Sequence, residues 1–442
     1  MHVSTHLSID MVALDQSDEV TILLELTAPE NPVSMQRPGR TLMLLLDRSG
    51  SMSGEPLTGA KDAIGRLIRR LAPQDCFGLI TFDDQAEVVI PPMLMKYHNL
   101  EALQHKVAAI QSGGMTDLSA GYLLALREVK RSLAQTQQAG ATILLVSDGH
   151  ANGGITEPSR LREVAENALT DSITTSTLGL GLGYDEYLLQ EITMGGNGNH
   201  RFAPDVDTAV SEIAQTVNDL LDVSAIATTV RITPLNQLVD SIHLRQDLPV
   251  WREPGSLIIN IGDMYAGEER RILLNLGLPA VADLGTTTIA NVDINFTKVA
   301  DLTDHHVQLP ITVNVVPGDQ ARNRVPNPVV SVEELILESN DAKKKMAQSL
   351  RDHDIGTARG TLADAISNVN TARQSFKDVK IPSLTARLDE AAEELLDLNK
   401  ALKTESMEFN AKLMTDSLSS GGRGRSNKKK AKPSTTDSKE QS

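Results

Sequence analysis

The spacing of apolar residues changes character several times along the chain. In residues 3–27 it is alternating. Val3, Leu7, Ile9 and Met11 hold odd positions, and Val20, Ile22, Leu24 and Leu26 alternate with polar neighbours. Period two turns one face of a strand toward a core, so two strands are predicted, with Asp15-Gln16-Ser17-Asp18 as the loop between them. Pro29, Pro32 and Pro38 then mark a linker.

From residue 40 the apolar runs become continuous, at 41–46, 77–82, 141–146 and 173–178. Strands of that kind are buried on both faces, as in a parallel sheet covered by helices. Helical spacing lies between them: Leu57, Ala60, Ile64, Leu67, Ile68 and Leu71 mark one helix face, with Pro56 suited to its first turn. Val88-Val89-Ile90, closed by two prolines, reads as a short antiparallel edge. The pattern predicts a doubly wound, mostly parallel α/β domain over 39–221.

Alternation then returns. Ile226, Val230 and Ile232 begin it, and Leu257, Ile259 and Ile261 continue it. Ile272, Leu274 and Leu276 come next, followed by Ala290, Val292, Ile294 and Phe296. Val307, Leu309, Ile311, Val313 and Val315 complete the set. Five such strands over 222–318 suit a β-sandwich, with the strands of 1–38 completing it and the α/β domain inserted. After the linker 317–328, Ser331 and Glu334 match a capping box. Ala358, Leu362, Ala365, Val369, Ala372, Phe376 and Val379 follow a 4-3 spacing. Leu384, Leu388, Ala391, Leu395, Leu398 and Leu402 resume it past Pro382. The helical region 329–415 is therefore expected to hold an antiparallel hairpin packed within the chain, the alternative being an oligomerising coiled coil. From Asp416 to the end apolar residues almost vanish, which predicts a disordered basic tail, with Lys428-Lys429-Lys430-Ala431-Lys432 solvated.

Charge and composition narrow the function. The 442 residues carry a formal net charge of −16, which would repel a phosphate backbone. Aromatic residues are 3%, too few for a base-stacking platform. Nucleic-acid binding by the folded body is not expected. No run approaches the roughly 18 apolar residues of a membrane span. The segment MHVSTHLSIDMVAL has neither a basic nor an apolar signal region, so a cytoplasmic location is expected. Cys76, the one cysteine, sits in an apolar run and reads as a buried, inert thiol.

The chemistry concentrates at Asp47-Arg48-Ser49-Gly50-Ser51, directly after an apolar run. Ligands of open α/β sheets bind at the carboxyl ends of strands. Alternate side chains of an extended segment project to one side, so Asp47, Ser49 and Ser51 can converge. Oxygen-only ligands suit Mg²⁺, with Mn²⁺ or Ca²⁺ as substitutes, and not zinc. Few carboxylates and several hydroxyls leave such an ion short of negative charge, ready to take a carboxylate from outside.

With two further segments, Ser112-Gly113-Gly114-Met115-Thr116-Asp117-Leu118 and Ile143-Leu144-Leu145-Val146-Ser147-Asp148-Gly149, the chain resembles the von Willebrand factor type A (VWA) family. GLGYDEYLL from Gly181 and GGNGNHRF from Gly195 resemble its intracellular and bacterial branch. The resemblance spans residues 39–221 and implies a Rossmann-like sheet bearing a metal-ion-dependent adhesion site. It implies direct ligation by Ser49 and Ser51, ligation by Thr116 directly or through water, and Asp47 and Asp148 acting largely through waters. Met115 departs from the pattern, standing where many members have a third glycine.

The function expected is a divalent-metal-dependent protein-binding module or adaptor, not an enzyme. Its partner would be a protein presenting Asp or Glu, in some assemblies an AAA+ ATPase. The rivals are an oligomerising scaffold and a metal-assisted hydrolase. No nucleophile–base pair or carboxylate-rich two-metal cluster lies near these loops to support the latter. Lesser candidates read as structure. Residues 54–61 echo a phosphate-binding loop, but Ala60 interrupts it. His150 reads as a solvent-facing loop residue. His305 and His306 lie on opposite strand faces. Asp83 and Asp84 read as a solvated pair, and Trp251 as a sandwich-core or edge residue. Removing Asp47 is expected to abolish binding and to stabilise the metal-free fold by relieving repulsion.

Overall fold

Alternation in the first segment produces three strands rather than two: β1 (His2–Leu7), β2 (Met11–Ala13) and β3 (Asp18–Thr27). β1 and β3 pair antiparallel, while β2 crosses between them to another sheet. The structure, a computed structural model, describes residues 1–31, 39–138, 140–235, 238–377, 379 and 381–421. Pro32 and Pro38 lie outside the described residues.

The α/β unit follows in chain order as β4 (Thr41–Asp47), α1 (Glu55–Ile68), β5 (Cys76–Phe82), β6 (Ala86–Leu94), α2 (Leu100–Ala108), α3 (Leu118–Thr136) and β7 (Ala141–Ser147). It is completed by α4 (Pro158–Leu169), β8 (Ile173–Leu180), α5 (Glu186–Gly195), β9 (Asn197–Ala203) and α6 (Val206–Leu221). Its sheet runs β6-β5-β4-β7-β8-β9, parallel except for β6. Every residue of β4, β5 and β7 is buried, because helices cover both faces. Leu42, Leu44 and Leu46 pack against α1 and α2, and Met43 and Leu45 against α3 and α5. The prolines at 91 and 92 do not end β6. They lie inside it, where an edge strand tolerates a lost N–H.

Beyond the α/β unit come β10 (Val223–Pro234), β11 (Ser241–Leu244), β12 (Val250–Glu253), β13 (Ser256–Tyr265), β14 (Glu269–Leu278), β15 (Gly285–Lys298) and β16 (Thr303–Val316). One sheet is β1-β3-β14-β11 and the other is β12-β13-β10-β15-β16-β2. Both therefore mix strands from either side of the α/β unit. Val20, Ile22 and Leu24 share one core with Ile232, Ile272, Ile294 and Val313. The chain leaves and re-enters these sheets at one place: Asn31 Nδ2 donates to Asp222 O at 3.3 Å, and Arg40 pairs with Asp263 at 3.3 Å.

The helical region contains the predicted hairpin and adds two further helices to it. After the short α7 (Gly318–Ala321), four helices share one core: α8 (Pro328–Arg351), α9 (Ile355–Ser375), α10 (Pro382–Thr404) and α11 (Met407–Gly421). The seam residues Leu362, Val369, Leu388 and Leu395 are buried with Val332, Leu350 and Met414, so the seam is satisfied inside the chain. The capping box at Ser331 is also corrected. Asn327 caps α8 by accepting from Val329 N at 3.0 Å, and Glu334 instead accepts from Thr21 Oγ1 at 2.9 Å. The disordered tail does not begin at Asp416. Met414 and Leu418 are buried, and Asp416 Oδ1 accepts from Phe202 N at 3.1 Å, so α11 continues to Gly421. Residues 422–442, with the lysine cluster, lie outside the described residues. No helix among the described residues is long and apolar enough to cross a membrane.

Candidate functional site

The register of the parallel sheet brings the acidic residues together. Leu46 pairs with Val146, so Asp47 at the end of β4 stands beside Ser147 and ahead of Asp148. Ser147 Oγ donates to Asp47 Oδ2 at 2.5 Å, and Ser49 N donates to Asp47 Oδ1 at 2.8 Å. Ser51 Oγ donates to Asp148 Oδ1 at 2.7 Å and lies 3.1 Å from Ser49 Oγ. Thr116 sits in the loop before α3, and its backbone N donates to Asn152 Oδ1 at 2.8 Å.

Gly149 marks where these groups point. A Cβ placed on it would lie 3.1 Å from Ser51 Oγ, 3.4 Å from Thr116 Oγ1 and 3.8 Å from Ser49 Oγ. Hydroxyls from two loops thus converge beside Asp148 on a third, in a space a side chain would fill. The loops are knit by the backbone. Gly113 N donates to Arg48 O at 2.8 Å, and Gly50 N donates to Gly114 O at 3.2 Å. Gly114 has φ +59°, and a Cβ there would meet Asp84 Oδ1 at 2.3 Å, so glycine is required at that position.

Electrostatics favour a cation here. Burial raises the Asp47 carboxyl above the usual carboxylate range, although Ser147 and Ser49 bond to it. Asp148 is pushed up to about 6, by burial first and by the nearby Asp47 as a further cause. Both groups resist carrying charge in this buried setting, and a divalent ion beside them would remove that penalty. Among the described residues no three His, Cys, Asp or Glu side chains cluster as a metal site. The oxygen set here has two carboxylates only, and hydroxyls supply the rest. Its chemistry fits a hard divalent ion.

Several neighbours depart from the sequence reading. Asp83 is not solvated: it is buried, pairs with Arg48 Nε at 3.1 Å, and accepts from Gln85 N at 2.9 Å. Asp84 is exposed. Ser147 and Asn152, which hold Asp47 and Thr116, were not singled out in the sequence. Ser147 could have been, being adjacent to Asp148, but Asn152 carries no local signal. His150 is exposed, and it lies 3.8 Å from the Asp185 carboxylate. Residues 55–61 lie within α1. His305 stacks on Phe296 while His306 bonds Asp293, on opposite faces. Trp251 lies on the edge strand β12 and is exposed, and Cys76 is buried with its thiol 3.2 Å from Ser132 Oγ.

Residues 41–216 match the family model described as von Willebrand factor type A domain, and this segment is a VWA domain. The chain is 26% identical over 309 residues to an uncharacterized protein of Synechocystis sp., covering 67% of this chain and 70% of that one. It is also 26% identical over 175 residues to inter-alpha-trypsin inhibitor heavy chain H1 of Homo sapiens, covering 39% of this chain and 19% of that protein. In fold it is similar to a von Willebrand factor type A protein from Catenulispora acidiphila (TM-score 0.71, 14% identity, 94% of this chain and 96% of that one). It is likewise similar to the ArnB paralog VWA2 from Sulfolobus acidocaldarius (TM-score 0.64, 16% identity, 95% and 98%).

Proposed function

We propose, with a VWA domain over residues 41–216 as the premise, that the chain is a divalent-metal-dependent protein-binding module. Asp47, Ser49, Ser51, Thr116 and Asp148 would hold Mg²⁺ or a close substitute. The partner would be a protein that presents an Asp or Glu to the ion, assembly subunits such as AAA+ ATPases among them. The observation that carries this reading is the convergence of three hydroxyls beside two buried carboxylates.

The neutral hydroxyls supply no charge, so the carboxylates offset the ion only in part and an outside carboxylate completes the balance. No reaction is proposed, since neither a nucleophile–base pair nor a second metal cluster accompanies the site among the described residues. The seam that an oligomerising scaffold would use is already buried inside the helical bundle. The test is capture of partners on the immobilised chain in Mg²⁺ and in EDTA, beside a Thr116→Ala variant. Capture should require Mg²⁺ and fall about tenfold or more in the variant. Partners retained equally in EDTA would show that another surface binds them.

A further inference from the structure

One wall of the metal cradle is held from outside the VWA domain. After β8 the chain turns through residues 181–185 into α5. A Cβ on Gly183 would lie 3.2 Å from Asp148 O, and Asp185 N donates to Gly149 O at 3.4 Å. The far side of this turn is gripped by the helical bundle. Lys412 of α11 is buried, donates to Tyr184 O at 3.0 Å, and places Nζ 3.9 Å from the centre of the Tyr184 ring. The same Nζ is 3.6 Å from Glu186, the first residue of α5. Glu186 is buried too and accepts from Arg351 Nε of α8 at 2.8 Å and from Thr415 Oγ1 at 3.0 Å. Phe409 meets Phe202 edge-on at 5.5 Å, which seats α11 along β9.

Burying an ammonium, and partly burying a guanidinium, is costly unless both are paired. Each finds its partner on the turn beside the cradle, so the arrangement fixes the turn as it satisfies the charges. We propose that Lys412 and Arg351 are positioning residues for the metal site: the bundle sets the 183–186 wall and, through it, Asp148 and Gly149. The inference rests on the metal reading above and adds that the bundle and the VWA domain act as one binding unit.

The experiment uses the full chain. Mn²⁺ binding is measured by electron paramagnetic resonance, and hydrogen exchange is read at the Asp185 amide. Lys412→Met should weaken Mn²⁺ binding about fivefold or more, within the usual range of site-to-site coupling. It should also speed exchange at Asp185 about tenfold, as the local grip opens. Lys412→Arg, which keeps a donor for Tyr184 O, should recover much of both. The control is Lys343→Met, which removes another buried lysine of the bundle, paired with Glu394 at 2.6 Å. It should leave both readouts within about twofold of the parent. A folded Lys412→Met protein unchanged in exchange, or a Lys343→Met protein that loses as much as Lys412→Met, overturns the proposal. If Lys412→Met does not fold, Phe409→Ala loosens α11 without stranding a charge and is read the same way. A parent chain that fails to bind Mn²⁺ would sink the metal reading alone, and the exchange comparison would still decide the positioning claim.

Discussion

Asp47 can be replaced in two ways that differ in their effect on the metal-free fold. Its side chain is fully buried and accepts from Ser49 N and from Ser147 Oγ. Asp47→Asn keeps an acceptor for Ser49 N, and its amide can donate to the Ser147 hydroxyl once that rotates. It removes the buried charge and loses neither bond. Asp47→Ala leaves both donors buried without a partner, at about 1–3 kcal/mol each, with the rotatable hydroxyl at the low end. In EDTA the Ala variant should therefore be about 2–4 kcal/mol less stable than the Asn variant. In Mg²⁺ at roughly a hundredfold excess over its dissociation constant, the parent should gain about 2.7 kcal/mol, and neither variant should gain anything. Native-state hydrogen exchange of the β4 and β7 amides reads these values within the VWA domain. An Asn variant stabilised by Mg²⁺ as much as the parent would refute the role given to Asp47.

Two further outcomes follow from the same structure. In EDTA, Asp148 titrates in the fold at about 6, above its ordinary 3.8, so its charged form opposes folding above that pH and the penalty lifts as pH falls through it. Exchange-derived stability of the VWA domain should thus rise between about pH 7 and about pH 5, and Asp148→Asn should flatten that rise; an unchanged slope would contradict it. Deleting residues 1–31 removes β1, β2 and β3 and leaves β14 paired only with the four-residue β11. Amides of β14 should then lose protection by about tenfold or more, and equal protection in the deletion would show that β3 is not needed there.

The α/β sheet was legible because a strand buried on both faces is written as an unbroken apolar run, and 41–46 and 141–146 are such runs. Asp47 and Asp148 come together for a related reason, since each stands at or just past the end of such a run, whereas Thr116 lies in a loop before α3 that no apolar run marks. Asp83 was misread because a polar pair after a strand looks solvated, and its buried pairing depends on Arg48, far away in sequence. Period two told which face of β1 and β3 turns inward but not which sheet each strand joins, and in β2 it marked Met11 where Val12 enters the sandwich core, so the crossing of β2 was hidden. α11 was missed at its end because the buried Met414 and Leu418 stand among polar neighbours that dilute the signal. Asp416 looks like the first tail residue, yet its side chain accepts from Phe202 N.

The threading of the sandwich sets an order on synthesis. Leu24 of β3 emerges early, but the residue it faces in β14, Ile272, is made much later. At roughly 5–20 residues per second, that strand waits on the order of 10–50 s with its apolar face uncovered. The VWA domain has all its strands within that interval and can fold first. Because Asn31 and Asp222 end up in contact, its completion also brings the waiting strands to where β10 to β16 will arrive. A nascent chain stalled before residue 269 would then hold a folded VWA domain, its 183–186 turn still without the bundle contacts, beside an aggregation-prone edge, the stage at which a chaperone would matter most to this protein.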